Sequence, residues 1–292
     1  MIISSSISKK EKATFVKWSF LKSLKRRVNM IETLTFFANS FLAAALLAIS
    51  IAIIGSIMLI NRYNYLAASI AHGSYGGVGM AIYLGIGVVL GATLFAVALA
   101  LLLAYITYKE NRRTDILIGV LWAVGMSIGI IFIDLTPGYN VDLLAFLFGN
   151  ILLIPKSDLF FMAGVDLVLL LYLSIFYHHI LAVAYDKEFA LTRGLNVKLI
   201  HTLTLILIAL TVVMSIRSIG LILVIALFSI PPYIAEKYTK NFISMMIVAG
   251  IISFIIMCIG LFVASSLNIS ATASIIIIAG VLFILTFIRI KQ

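Results

Sequence analysis

One histidine, His72, sits in the run "AASIAHGSYGGVGM" at residues 67–80, among apolar and very small residues. A neutral imidazole suits Zn²⁺ and tolerates Mn²⁺ or Fe²⁺. In apolar surroundings a lone histidine is either a functional group or a packing residue bonded to a backbone carbonyl, and the residues alone leave both open. Asp166, in "FMAGVDLVLLL", lies about 12 Å inside one end of its own apolar stretch at ~1.5 Å per helical residue. His72 lies at a similar depth from the opposite side, so across about 30 Å of hydrocarbon the two can face one cavity. They form the candidate metal-binding pair, with Asp166 supplying a carboxylate beside the imidazole. A hydrogen bond from Asp166 to a neighbouring span is the other reading.

Depth has meaning here because the chain is built for lipid. Of its 292 residues 63% are hydrophobic and 11% charged, whereas a soluble domain carries about a quarter charged residues. Leu, Ile, Val and Ala follow one another directly, which excludes the alternating pattern of an outer-membrane strand and predicts helices. The expected fold is an all-α polytopic membrane protein. Nine spans are predicted, over 34–60, 65–84, 86–107, 116–133, 159–183, 199–216, 219–235, 242–265 and 271–288. The apolar piece 142–154 is too short to cross and is predicted to be re-entrant or interfacial. The single cysteine, Cys258, excludes an internal disulfide and a cysteine-based metal cage.

The net charge of +10 is unevenly distributed: residues 1–29 hold eight of the 21 Lys and Arg against one Glu. The remainder is ordinary, which argues against nucleic acid as a partner. If the loop "YKENRRTD" is cytoplasmic, alternation places Arg62, Lys187, Arg193, Lys198, Lys237, Lys240, Arg289 and Lys291 inside with Lys109, Arg112 and Arg113, against Lys156 and Arg217 outside. The basic segment 1–29 conflicts with that orientation. Two expectations follow: it is an extension lying on an anionic membrane surface, or the natural chain starts at Met30, leaving 30–292 as the transmembrane domain.

Three further segments carry candidate function. In "AYDKEFALTRGLNVKLIH", Asp186 and Glu188 open a short helix that Gly194 ends; it is a docking knob for another protein or a solvated loop. In "SIGLILVIALFSIPPYIAEK", Pro231 and Pro232 are expected to break the span, as a helix terminus or as a bend lining a pathway. Ser69, Gly73 and Gly77 recur every four residues, and Gly76 and Gly79 widen the stripe, so another helix can approach closely, statically or as a sliding surface. Asp134, Asp142 and Asp158 fall at the outer face, as an entrance or as solvated loop ends. His178, His179 and His201 sit near the inner interface, where orientation or docking suits them better than coordination.

Taken in order, "IAHGSYGGVGMA", "DLLAFLFGNILLI", "YDKEFALTRGLNV" and "IGLILVIALFSIPPYIAEK" resemble the permeases of bacterial ABC importers for zinc, manganese or iron, over everything from Met30 onward. The resemblance implies a homodimer in the bacterial cytoplasmic membrane, served by two cytoplasmic ATPase subunits and a periplasmic or lipid-anchored metal-binding protein. It implies no permanently bound cofactor: the divalent metal is substrate and ATP is used by the partner. It makes Asp186, Lys187, Glu188, Phe189, Ala190, Arg193 and Gly194 the ATPase-coupling segment, and Phe148, Gly149 and Asn150 part of an outer gate. It also raises the ligand reading of His72, because the family usually carries a histidine here, preceded four residues earlier by an aspartate; in this chain that earlier position is Ala68, so that carboxylate ligand is missing.

The chain has no GxxxxGK[ST] phosphate loop and no HExxH, so it is not expected to be an enzyme. The alternatives are a permease for iron-siderophores or cobalamin, and a proton-coupled secondary transporter using Asp166.

Overall fold

A computed structural model describes residues 38–109, 114–137, 149 and 151–290. The described residues hold helices and no strand. Nine are long: α1 (Ala38–Asn61), α2 (Asn64–Leu84), α3 (Val88–Lys109), α4 (Thr114–Asp134), α5 (Lys156–Tyr185), then, after the short α6 (Lys187–Thr192), α7 (Val197–Ile219), α8 (Leu221–Tyr238), α9 (Phe242–Leu267) and α10 (Ala271–Ile290). These coincide with the nine expected spans to within a few residues at each end. The expected extension 1–29 lies outside the described residues. So does most of the re-entrant piece, of which Gly149 and a 3₁₀ turn at Ile151–Leu153 are seen.

Eight of the nine long helices are long and apolar enough to cross a membrane. The other, α2, carries Asn64, Ser69, His72, Ser74 and four glycines within 21 residues. It is wrapped instead by protein, chiefly α3 and α4, with α7 and α8 behind. At the periphery, large apolar side chains such as Leu94, Leu171, Phe262 and Ile277 point outward, which suits hydrocarbon as solvent and would drive association in water.

Hydroxyls inside the bundle need partners that lipid cannot give. Thr204, Thr211, Ser215 and Ser253 donate to the carbonyls of Ile200, Leu207, Thr211 and Ala249, each four residues back, satisfying themselves on their own helix. Cross-links between helices are fewer, and Tyr172 to Thr204, 2.8 Å across α5 and α7, is one.

The expected break at Pro231 and Pro232 does not occur: α8 runs through both to Tyr238. The reason lies opposite, in α1, where Ile51–Gly55 forms a π turn. A Cβ on Gly55 would stand 2.8 Å from Pro232 Cγ and 3.0 Å from the Phe228 carbonyl oxygen. That carbonyl is one of those whose intrahelical donor the prolines remove. Close packing of a bare Cα against the proline turn therefore lets the helix continue.

Candidate functional site

The small-residue stripe of α2 fixes where His72 goes. Ser69 Oγ donates to the Ile118 carbonyl on α4 at 3.1 Å, and a Cβ on Gly76 would stand 2.8 Å from the Gly125 carbonyl oxygen. Gly79 faces Gly129, and Gly77 faces Gly91 on α3. The stripe is thus one half of a matched set. Of its partners, Gly125 and Gly129 are small residues spaced by four in "GMSIG", a signal legible in the sequence but not used above.

With α4 drawn this close, the imidazole of His72 stacks on Trp122, ring centroids 4.2 Å apart and planes 22° apart. Its Nδ1 is buried without a hydrogen-bond partner, so the packing reading, in which a carbonyl holds the ring, is not what is seen. Ala68, one turn earlier, shares a small cavity with Asn64 and Ser229. Both Ala68 and His72 are half-buried in the single chain.

Asp166 stands elsewhere. It is 3% exposed and accepts a 2.5 Å hydrogen bond from Ser50, next to the π turn of α1; its Oδ2 has no partner. No hydrogen bond or ion pair joins it to His72, and among the described residues no three His, Cys, Asp or Glu side chains gather as a metal cage. The expected pair is therefore not assembled as a direct contact within one chain.

At the end bearing Arg62, Lys187, Arg193, Lys198, Lys237 and Lys240, α6 stands out from the bundle. Asp186 caps it, its carboxylate accepting from the Phe189 amide at 2.9 Å. Gly194, at φ +75°, closes it, with bonds from the Gly194 amide to the Leu191 carbonyl and from the Leu195 amide to the Ala190 carbonyl, the Schellman arrangement. Ala190 is buried against the bundle, while Phe189 and Leu191 are about half exposed. A six-residue helix with both ends capped, seated on the bundle through Ala190, presents Phe189 and Leu191 outward.

Behind α6 lies a network the sequence analysis missed. His201 Nδ1 is 2.6 Å from the Tyr63 hydroxyl and Nε2 is 2.9 Å from Thr107 Oγ1. The Thr107 proton is committed to the Leu103 carbonyl, so Nε2–H donates to Thr107 and Nδ1 accepts from Tyr63. Burial pushes the Tyr63 phenol well above its ordinary pKa, keeping it a neutral donor. Lys187 Nζ sits 4.5 Å over the neighbouring Tyr108 ring.

At the opposite end, Arg217 pairs with Asp158 at 2.7 Å, tying α7 to the start of α5; charge counting placed both at the outer face without pairing them. Of the expected gate residues, Phe148 and Asn150 lie outside the described residues. Gly149 has φ +59° and lies against Ile219 and Gly220, with no room for a side chain. Gly220, at φ +77°, is itself the joint between α7 and α8.

Comparison with known proteins matches residues 33–290 to the ABC 3 transport family. The chain is 38% identical to an uncharacterized membrane protein of Synechocystis sp., covering 91% of this chain and 96% of that protein. It is 27% identical to the manganese import system permease protein ScaB of Streptococcus parasanguinis, covering 89% and 92%. Among solved structures, PsaBC from Streptococcus pneumoniae in complex with Fab superposes with a TM-score of 0.78 at 28% identity, over 89% of this chain and 95% of that one. Matched over residues 33–290, nearly all of its described length, the chain belongs to the ABC 3 transport family.

Proposed function

We infer that the chain is the membrane permease of an ABC importer that carries a divalent metal ion, zinc, manganese or iron, into the cytoplasm. The observation that carries this reading is the family match across residues 33–290, among relatives that include a manganese import permease. The permease acts as a homodimer in a bacterial cytoplasmic membrane, fed by a periplasmic or lipid-anchored metal-binding protein. Its basic end is cytoplasmic by the positive-inside rule.

Energy enters at α6. A separate ATPase subunit grips the segment Asp186 to Gly194, and its nucleotide cycle shifts the permease between outward and inward states. The double cap supports this role, because a frayed helix transmits little force. The metal undergoes no covalent change. It passes the half-buried face of α2, where His72 offers an unpartnered Nδ1 to a borderline cation; Gly149 on Gly220 closes the outer end.

The test is reconstitution of the full chain with its ATPase in liposomes. ATP-dependent uptake of radiolabelled Mn²⁺, competed by Zn²⁺ and Fe²⁺, is expected, and it falls to background in Glu188→Arg. Proton-driven uptake by the chain alone, with no ATPase present, would overturn the reading.

A further inference from the structure

A cavity of about 440 Å³ opens at the basic end, between the α1–α2 turn, α3, and the ends of α5 and α7. That is the size of a site for a small polar ligand. Its polar walls are Asn61, Arg62, Tyr63, Thr107, Lys187 and His201. Among the described residues no carboxylate lines it, and the ion pairs formed are Arg217 with Asp158 and Lys237 with Glu236, so neither Arg62 nor Lys187 has an ion-pair partner among them.

The walls are held in place before any ligand arrives. The Arg62 backbone is held at φ +59° with its amide on the Leu59 carbonyl at 3.2 Å, and among the described residues its side chain makes no ion pair. Lys187 gives one face of its ammonium to Tyr108, leaving further N–H donors. Both nitrogens of His201 are used internally. The rest of the lining, Ile60, Leu66, Ile118 and Val183, is apolar, and Tyr65 beside it is 72% exposed, as aromatic residues are at a membrane surface.

We propose that this cavity binds the phosphate of an anionic phospholipid from the cytoplasmic leaflet, clasped between Arg62 and Lys187, with the lipid stem along Leu66 and Ile118. Two cations at one mouth with apolar walls behind fit a molecule that is anionic at one end and hydrocarbon at the other, and basic pockets between helix ends on this side of a membrane take such headgroups. A free phosphate satisfies the cations but leaves the apolar wall unused. Because Lys187 is the first residue of α6, a bound headgroup braces that helix against the α1–α2 turn. The proposal needs the orientation set by the basic residues and not the identity of the transported metal.

The test is native mass spectrometry of the full chain in neutral detergent, titrated with phosphatidylglycerol or phosphatidylcholine, with inorganic phosphate as a separate competitor. Phosphatidylglycerol is expected to be retained in preference to phosphatidylcholine. The Arg62→Gln/Lys187→Gln variant should bind it about 30-fold more weakly, the loss of two basic groups at an anionic surface, whereas Lys240→Gln, at the same end but outside the cavity, binds like the parent. If the double variant does not fold, Arg62→Gln alone, which removes no internal ion pair, should show about fivefold weakening. Equal retention of phosphatidylglycerol by parent and variants overturns the proposal. Binding of inorganic phosphate with no preference between the lipids overturns the lipid assignment in favour of a free anion.

Discussion

Tyr63 and His201, 138 positions apart, meet at 2.6 Å where the α1–α2 turn touches the first turn of α7. Through Thr107 the same imidazole also holds the end of α3. His201 is therefore the joint of three helices directly behind α6.

His201→Phe keeps an aromatic ring and removes both hydrogen bonds, leaving the half-buried Tyr63 hydroxyl without the acceptor it has here. A loss of about 1–3 kcal/mol is expected for an orphaned buried donor, read as a lower unfolding midpoint of the purified protein. Tyr63→Phe removes one of the two bonds and leaves only His201 Nδ1 without its donor, so it should cost less. In reconstituted importer, His201→Phe should also reduce uptake more than ATP hydrolysis, since the ATPase turns over while the joint behind α6 yields. Equal loss of both activities would count against a coupling role.

Gly149→Ala places a Cβ on a residue at φ +59° and against the backbone of Gly220. Positive φ alone costs an alanine on the order of 1 kcal/mol, and the backbone contact adds to it because a backbone, unlike a flexible side chain, cannot step aside. The expected result is a protein that still inserts and binds its ATPase but has a splayed outer end. A cysteine placed at Ser218 should then react with an impermeant maleimide several times faster than in the parent. Unchanged labelling would mean that the contact does not hold that end shut.

Asp166 allows charge to be separated from hydrogen bonding. Asn at this position keeps an oxygen for Ser50, next to the π turn of α1; Leu does not. With the carboxylate directed at Ser50 and unconnected to His72, Asp166→Asn is expected to retain most metal uptake. Asp166→Leu should lose it together with about 1–3 kcal/mol of stability, because Ser50 is left buried and unpaired. Uptake abolished in Asp166→Asn with stability intact would show instead that the charge itself meets the metal.

The helices were legible because each is a long apolar run bounded by charges, Gly or Asn, and a chain in lipid must satisfy its backbone internally. The α6 caps were legible for a local reason: Asp186, Glu188 and Gly194 act within one or two turns. What escaped was long-range. Nothing near Pro231 or Pro232 signals that Gly55, far earlier in the chain, will fill the space beside them, and nothing near Asp158 names Arg217. His201 read as an interfacial histidine because hydropathy sees one helix at a time. His72 was found from its own surroundings, but its stacking on Trp122 depends on glycines of α4 that have meaning only once the two helices are paired.

Ala68 stands one turn before His72, where the resemblance implies an aspartate, and it offers the sharpest test of His72. Residues four apart on a helix share a face, and Ala68, half-buried, borders a cavity with Asn64 and Ser229. Ala68→Asp therefore sets a hard oxygen ligand one turn from an imidazole whose Nδ1 has no partner. A carboxylate with an imidazole binds Mn²⁺ or Zn²⁺ more tightly than an imidazole alone, so isothermal titration of the purified variant should show at least about tenfold stronger binding, or about 1.4 kcal/mol. Transport need not gain, because a cation held more tightly leaves more slowly: at saturating metal the turnover should fall while the half-saturating concentration also falls. Ala68→Asn, without the charge, should shift both only slightly. If His72→Ala leaves the tightened binding of Ala68→Asp untouched, the metal is not meeting the imidazole, and the pathway runs along another face of α2.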